Sequence, residues 1–349
     1  MTDKDKNSFE RLNRRDFIRM GTASAALFGS LACSRKPDKA KPETVVPAKR
    51  LGQTQMIASI LAMGGGSALS MVEKDEDALA LIDLARRKGV NFFDTGASYG
   101  GGKSERRFGE ALEGYRSEVY LSTKYSSEDT PDKLKKKFET SLKRFRTDYI
   151  DVANIHGLAS LEDVELMFTS GAIETLVKLK EEGVVKYVGM TSHGHPPATV
   201  EAIKRFDFDV VAMAANASKV PFFGEFDTQI EANFEDLAMP LALQKGMGVW
   251  TFKVTGQRRL IQKNNEPDKA PGKDLLRYAL SLPVHGMILG MTIPEHVESA
   301  SEMSATFTPM PKEEMRLWNE RLAESANELT LDYLRSDYFD DGGYRAHLA

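Results

Sequence analysis

Eight times between Ile57 and Leu289 a short apolar run alternates with a stretch of helical spacing, and this alternation constrains the fold more than any other feature. The apolar runs are Ile57–Ala62, Val90–Phe93, Val119–Thr123, Tyr149–Ile155, Val185–Met190, Val210–Ala214, Val249–Thr251 and Met287–Leu289. Between them Ala78, Leu81, Ile82 and Ala85 recur at helix spacing, as do Leu134, Phe138, Leu142 and Phe145. Gly89, Gly183 and Gly246 each fall just past a helical stretch and before an apolar run, where a left-handed C-cap is wanted. Strands joined by helices run parallel. Eight such units over about 250 residues match a closed α/β barrel of the (β/α)8 TIM type better than an open doubly wound sheet. Met63-Gly64-Gly65-Gly66-Ser67, after the first strand, also lacks the G-x-G-x-x-G spacing that such an open sheet uses to cradle phosphate. Pro311–Glu328 reads as one extra helix and Leu331–Tyr344 as an aromatic tail, so residues 50–349 form a single domain. The tail's Tyr333, Tyr338, Phe339 and Tyr344 are expected on the outside of the barrel, with capping of a pocket as the alternative.

The start of the chain follows other rules. A polar segment carrying Asn13-Arg14-Arg15-Asp16-Phe17-Ile18-Arg19 precedes a mildly apolar run, Met20–Ala32. A charged region, a short apolar region and a small-residue ending, in that order, read as an export signal over residues 1–33, of the twin-arginine type. An amphipathic N-terminal helix is the competing reading. Cys33 directly follows the run and is placed for lipidation, while Ser30-x-Ala32 fits ordinary signal-peptidase cleavage equally well. Residues 34–49, rich in Pro and Lys, read as a flexible linker. The expected location is the periplasm or cell envelope, with membrane attachment only through a lipidated Cys33.

Composition removes several functions. One cysteine excludes an internal disulfide framework and any Cys-based metal site. A net charge of −4 argues against nucleic-acid binding, and no apolar run reaches the length of a membrane span.

In a barrel the residues at the C-terminal ends of the strands line the mouth. Read in order, those positions supply Asp94 and Tyr99, then Lys124, then His156. A lysine paired with an aspartate keeps its charge in a partly desolvated pocket, and that charge favours the phenolate of a nearby tyrosine. The imidazole can orient a carbonyl oxygen or extend a proton relay. Such a set suits polarising a C=O group and protonating its oxygen.

The surrounding residues carry a resemblance. Asn91 to Gly100 with Asp94 and Tyr99, followed by Ser104-Glu105, resembles the aldo-keto reductase superfamily. So do Leu121-Ser122-Thr123-Lys124, the stretch from Leu142 through Thr147-Asp148-Tyr149-Ile150-Asp151 to His156, and Gly183 to Gly189. Leu51-Gly52-Gln53-Thr54 looks like the family's N-terminal hairpin. The resemblance implies a (β/α)8 barrel that binds NADP or NAD at its mouth without a Rossmann motif. It implies hydride transfer to an aldehyde or ketone, or from the alcohol in reverse, with Tyr99 as general acid/base. Lys124 and Asp94 would tune Tyr99, and His156 would place the substrate. For the cofactor it implies Thr191 and Ser192 near the carboxamide, Asn216 in the stretch where the family has a Gln, Phe252 as the nicotinamide platform, and Lys253, Gly256, Arg258 and Arg259 around the pyrophosphate. Where many members grip a 2′-phosphate with Lys, Ser/Thr and Arg, this chain has Gly290, Met291, Ile293, His296 and Ala300, which leaves NAD against NADP open.

Two further readings stay beside this one. The barrel could be a binding or redox-sensing module with weakened turnover, or a barrel using Lys124 as a Schiff base. His193-Gly194-His195 could suggest a metal pair, but no carboxylate or cysteine at ligand spacing supports it, and no metal is expected. The partner is a small carbonyl or alcohol. Its identity depends on the loops Gly157–Gly171 and Ala217–Phe234, where Phe222, Phe223, Phe226 and Phe234 suggest an apolar or sugar-stacking wall. The oligomeric state is not encoded in any motif.

Overall fold

The computed structural model of the chain describes residues 46–219, 233–264, 266–327, 330, 331 and 333. The export signal with Cys33, linker residues 34–45, Phe222, Phe223, Phe226, Tyr338, Phe339 and Tyr344 lie outside the described residues.

Eight parallel strands close into one barrel. They are β3 (Leu61–Gly64), β4 (Phe92–Asp94), β5 (Tyr120–Tyr125), β6 (Ile150–Ile155), β7 (Val185–Ser192), β8 (Val210–Ala214), β9 (Gly248–Phe252) and β10 (Gly286–Leu289). Closure comes from β10, which pairs with β9 on one side and β3 on the other. Two shorter strands, β1 (Ala48–Arg50) and β2 (Ile57–Ser59), form the antiparallel hairpin. Its turn is held by the Leu51 N–H on the Met56 carbonyl at 2.9 Å and by the Thr54 hydroxyl on the Leu51 carbonyl at 2.6 Å. The hairpin's Leu51, Met56 and Ala58 pack with Phe92, Val152, Val210 and Trp250, residues at or near the starts of their strands. That plug seals the N-terminal end and leaves the opposite end to carry chemistry.

Two expected boundaries are corrected. The run Ile57–Ala62 is not one strand but serves two sheets. It breaks at Ile60, whose N–H goes to the Pro47 carbonyl, while the Ser59 hydroxyl bonds the Leu61 carbonyl. The linker does not extend to residue 49, because Val46 is buried with its N–H on the Lys88 carbonyl, and Ala48–Lys49 already belong to β1.

The helices bury the faces that spacing predicts. Pro131–Phe145 begins with Thr130 in extended conformation and Pro at its first turn, and ends on Arg146 at φ +55. It buries Leu134, Phe138, Leu142 and Phe145, each worth about 1.5–3 kcal/mol when fully removed from water. Asp75–Arg87 buries Ala78, Leu81, Ile82 and Ala85 in the same way. The extra helix is Lys312–Leu322 with a 3-10 turn at Ala323–Ser325, shorter at both ends than its sequence pattern. Leu331 and Tyr333 of the tail are buried, and Tyr333 reaches the barrel's mouth instead of its outer wall. No helix among the described residues is long and apolar enough to cross a membrane.

Candidate active site

The ends of β4, β5 and β6 converge on a buried charge. Lys124, in β5, points its Nζ at Asp94 Oδ2 (2.6 Å) and at the Thr95 carbonyl (2.5 Å). The other Asp94 oxygen accepts from the Ser122 hydroxyl at 2.8 Å, and that hydroxyl accepts from Asn154 Nδ2 at 2.9 Å. Lys124 and Asp94 are 6% and 7% exposed, so each partner keeps the other from being an uncompensated charge, a defect of about 3–5 kcal/mol. Gly189 in β7 makes this possible, since a Cβ there would collide with the Asn154 amide oxygen.

Above the pair stands Tyr99. Its ring centroid lies 4.9 Å from Lys124 Nζ, and its hydroxyl is 3.4 Å from His156 Nε2. The loop that carries it needs an unusual backbone: Gly100, Gly101 and Gly102 are all left-handed, at φ +55, +62 and +84. Arg144 crosses this loop, donating to the Ala97 carbonyl (2.9 Å) and the Gly101 carbonyl (3.3 Å). A side chain on Gly102 would strike that guanidinium. Arg144 is in turn paired with the fully buried Glu105 at 3.0 Å, which also accepts from the Thr123 hydroxyl at 2.8 Å. The four expected residues Asp94, Tyr99, Lys124 and His156 therefore come together on one rim, within bonding or ring contact of one another.

The expected cofactor residues sit on the next arc of the same rim, in different circumstances. Thr191 and Ser192 end β7 and are buried. The Thr191 hydroxyl accepts from the Gly157 N–H at 2.8 Å, and the Ser192 hydroxyl donates to the Leu158 carbonyl at 2.7 Å. Asn216 braces the loops instead of facing the mouth freely: its Nδ2 donates to the Lys253 carbonyl (3.1 Å) and the Tyr333 hydroxyl (2.7 Å), and its Oδ1 accepts from Ser218. Phe252 is half-buried at the end of β9. After it, Lys253, Gly256, Gln257 and Arg258 are all left-handed, so the loop turns tightly while Arg258 and Arg259 are exposed. Gly256 is packed under Leu331 and Leu260. Gly290 is exposed at the end of β10 against Ala68. Nearby, His296 contacts the Thr292 hydroxyl at 3.1 Å, and its imidazole is pushed below the usual histidine value by burial and then by the charge of Arg258.

Sequence reasoning missed the supports. Ser122, Asn154 and Arg144 are placed by long-range polar contacts that no local spacing announces. The pair His193 and His195 is divided. His195 caps its helix by accepting from the Ala198 N–H at 3.0 Å, while the ring of His193 lies 6.4 Å from that of His156 and 4.9 Å from Phe252. Among the described residues no cluster of His, Cys, Asp and Glu is arranged to hold a metal ion.

The family model for the aldo/keto reductase family matches residues 61–275, more than half of the chain. The chain is 26% identical over 294 residues to the L-galactose dehydrogenase of Arabidopsis thaliana, covering 75% of this chain and 90% of that protein. An aldo-keto reductase of Bacillus halodurans in its holo form superposes with a TM-score of 0.66 at 22% identity, over 79% of this chain and 96% of that one. An aldo-keto reductase of Klebsiella pneumoniae in complex with NADPH superposes at 0.63 and 18% identity, over 80% and 96%. The chain belongs to the aldo/keto reductase family. It is an oxidoreductase acting on carbonyl or alcohol groups.

Proposed function

We propose that Tyr99 is the general acid/base of a nicotinamide-dependent reaction that interconverts a small carbonyl compound and its alcohol. The observation that carries this reading is the Tyr99 hydroxyl at 3.4 Å from His156 Nε2 with the Lys124 ammonium 4.9 Å from its ring. A nicotinamide dinucleotide, when bound, supplies or accepts the hydride. The residues for it fit at one end: Phe252 offers a half-buried ring at a strand end, and the left-handed turn after it carries two exposed arginines. At the other end Gly290, Met291, Ile293 and Ala300 offer no cation to a 2′-phosphate. In the reducing direction the Tyr99 phenol gives its proton to the carbonyl oxygen as the carbon is reduced. The phenolate left behind stands beside an ammonium that Asp94 and Thr95 hold in place. His156 orients the oxygen between itself and the phenol. A Schiff-base role for Lys124 is disfavoured, since its nitrogen is already committed to the Asp94 carboxylate at 2.6 Å and the Thr95 carbonyl at 2.5 Å.

Export belongs to the same proposal. The signal pattern of residues 1–33 would carry a folded, cofactor-loaded barrel to the periplasm or cell envelope, anchored there only if Cys33 is lipidated. The test of the central reading is aldehyde reduction with NADH and NADPH by the wild type and Tyr99→Phe. A loss of about 10²–10⁴-fold in kcat is expected. Equal, near-zero rates in both would favour the binding-module reading, which the hydrogen-bonded state of Ser192 and Asn216 supports.

A further inference from the structure

Two buried residues of the tail reach the mouth, and the chemistry proposed above gives neither a part. Leu331 and Tyr333 are 0% and 4% exposed. The Leu331 N–H is tied to the Asn327 carbonyl at 2.8 Å. Its side chain packs over Gly256 so closely that a Cβ there would stand 2.6 Å from Leu331 Cδ2. The Tyr333 hydroxyl accepts from Asn216 Nδ2 at 2.7 Å, and Lys253 Nζ lies 5.8 Å from the centre of its ring. Burial pushes the phenol above its ordinary value, so it stays neutral at working pH. The side-chain contacts of both residues converge on one loop, residues 253–259, which carries the arginines offered to the dinucleotide.

That loop is strained. Lys253, Gln257 and Arg258 are left-handed at φ +57, +53 and +73, and none is glycine. A residue with a Cβ persists in this conformation only where its surroundings over-determine the backbone. Here the surroundings are the residues just past β8, together with the tail. The Phe252 carbonyl accepts from the Ala215 N–H at 3.2 Å, and the next carbonyl, that of Lys253, from Asn216 Nδ2 at 3.1 Å. The Asn216 amide is held from both sides: its oxygen takes the Ser218 N–H and hydroxyl, and its nitrogen donates to Tyr333 as well as to Lys253. Removing the Tyr333 hydroxyl therefore loosens the group that pins Lys253, at the point where the strained turn begins. A change of φ at Lys253 or Arg258 would redirect Arg258 and Arg259 together.

We propose that Tyr333 is a positioning residue for the dinucleotide: acting through Asn216, it holds the loop of residues 253–259 in the shape that binds, so that the tail sets how slowly the cofactor leaves. The proposal rests on the reductase reading above. It is tested on the full-length protein by loading NADH or NADPH, chasing with excess oxidised dinucleotide and following release by stopped-flow fluorescence. The proteins compared are the wild type, Tyr333→Phe, Asn216→Ala, the double variant and Tyr187→Phe, each confirmed folded by circular dichroism. Tyr187→Phe is the control, because that hydroxyl accepts from the Gln55 N–H at the closed end of the barrel. Tyr333→Phe should release the dinucleotide about three- to tenfold faster with its association rate within about twofold, the size expected for one lost hydrogen bond. Asn216→Ala should do at least as much, and adding Tyr333→Phe to it should change release by less than about twofold. Tyr187→Phe should match the wild type. An unchanged release rate in Tyr333→Phe, an equal effect in Tyr187→Phe, or effects of Tyr333→Phe and Asn216→Ala that multiply would overturn the proposal and leave the reductase reading standing. A wild type that binds neither dinucleotide would overturn both.

Discussion

Two arcs of one rim are built in opposite ways. Along β4, β5 and β6 the functional groups hold one another: Lys124 on Asp94, Asp94 on Ser122, Ser122 on Asn154, and the Tyr99 loop under Arg144 and Glu105. Along β7, β8 and β9 the polar groups hold the backbone: Thr191 takes the Gly157 N–H, Ser192 the Leu158 carbonyl, and Asn216 the Lys253 carbonyl with Tyr333. In the proposed reaction the first arc presents a fixed charge to the reacting atom. The second shapes a surface that carries a half-buried ring and two exposed arginines. A catalytic acid has to be preorganised within tenths of an ångström, whereas a long dinucleotide is gripped by shape and several weak contacts.

The sharpest way to break this contrast is to unlock the first arc. Arg144→Met leaves Glu105 buried with Thr123 as its remaining hydrogen-bond partner named above, and should cost about 3–5 kcal/mol in denaturant unfolding. The double variant Arg144→Met with Glu105→Gln removes the buried charge and should recover most of that stability. Its kcat should nevertheless stay about tenfold low, because the Tyr99 loop has lost its clamp. Recovery of kcat together with stability would make Arg144 a support of the fold alone.

The second arc has its own titratable brace. Glu235 accepts from the Tyr278 hydroxyl at 3.1 Å, and Asn319 donates both to that hydroxyl and to the Ala217 carbonyl, tying the rim loop to the outer helices. Burial raises the Glu235 carboxyl from its ordinary value of 4.5 to about 7, against the opposing charge of Lys219. The folded protein therefore holds a proton that the unfolded chain releases in this window, and this group's contribution to stability falls as pH rises from about 4.5 to about 7. Thermal unfolding across that range should show a decline of about 3 kcal/mol in the wild type that Glu235→Gln flattens. Parallel curves for the two proteins would remove Glu235 from the account.

A smaller effect separates the two ends of the proposed cofactor surface. Replacing Arg258 and Arg259 together with Ala should raise the KM for NADH and NADPH alike by about five- to tenfold, each exposed arginine contributing under about 1 kcal/mol. A selective loss of NADPH would show that Arg258, beside His296, reaches a 2′-phosphate after all.

How much of this was legible in the sequence follows the same division. The barrel was legible because each strand holds a short apolar-rich run and the helices between them carry periodic stripes. The only run to mislead, Ile57–Ala62, did so because apolarity does not mark a strand that leaves one sheet for another. The rim placement of Asp94, Tyr99, Lys124 and His156 was legible because each lies at or just past the C-terminal end of its strand. The roles of Ser122, Asn154 and Arg144 were not, since each bonds to a partner on another element, and hydrogen-bond direction leaves no trace in spacing. His193-Gly194-His195 looked like one motif and is two, because the chain turns between them and only the first imidazole meets the site.

The account depends above all on Tyr99 and Lys124 acting as one unit. Measuring kcat for the wild type, Tyr99→Phe, Lys124→Met and the double variant, each confirmed folded by circular dichroism, tests this most directly. The account predicts that either single change costs about 10²–10⁴-fold and that the double costs little more than the worse single. Losses that multiply, or a Lys124→Met enzyme near wild-type rate, would contradict it.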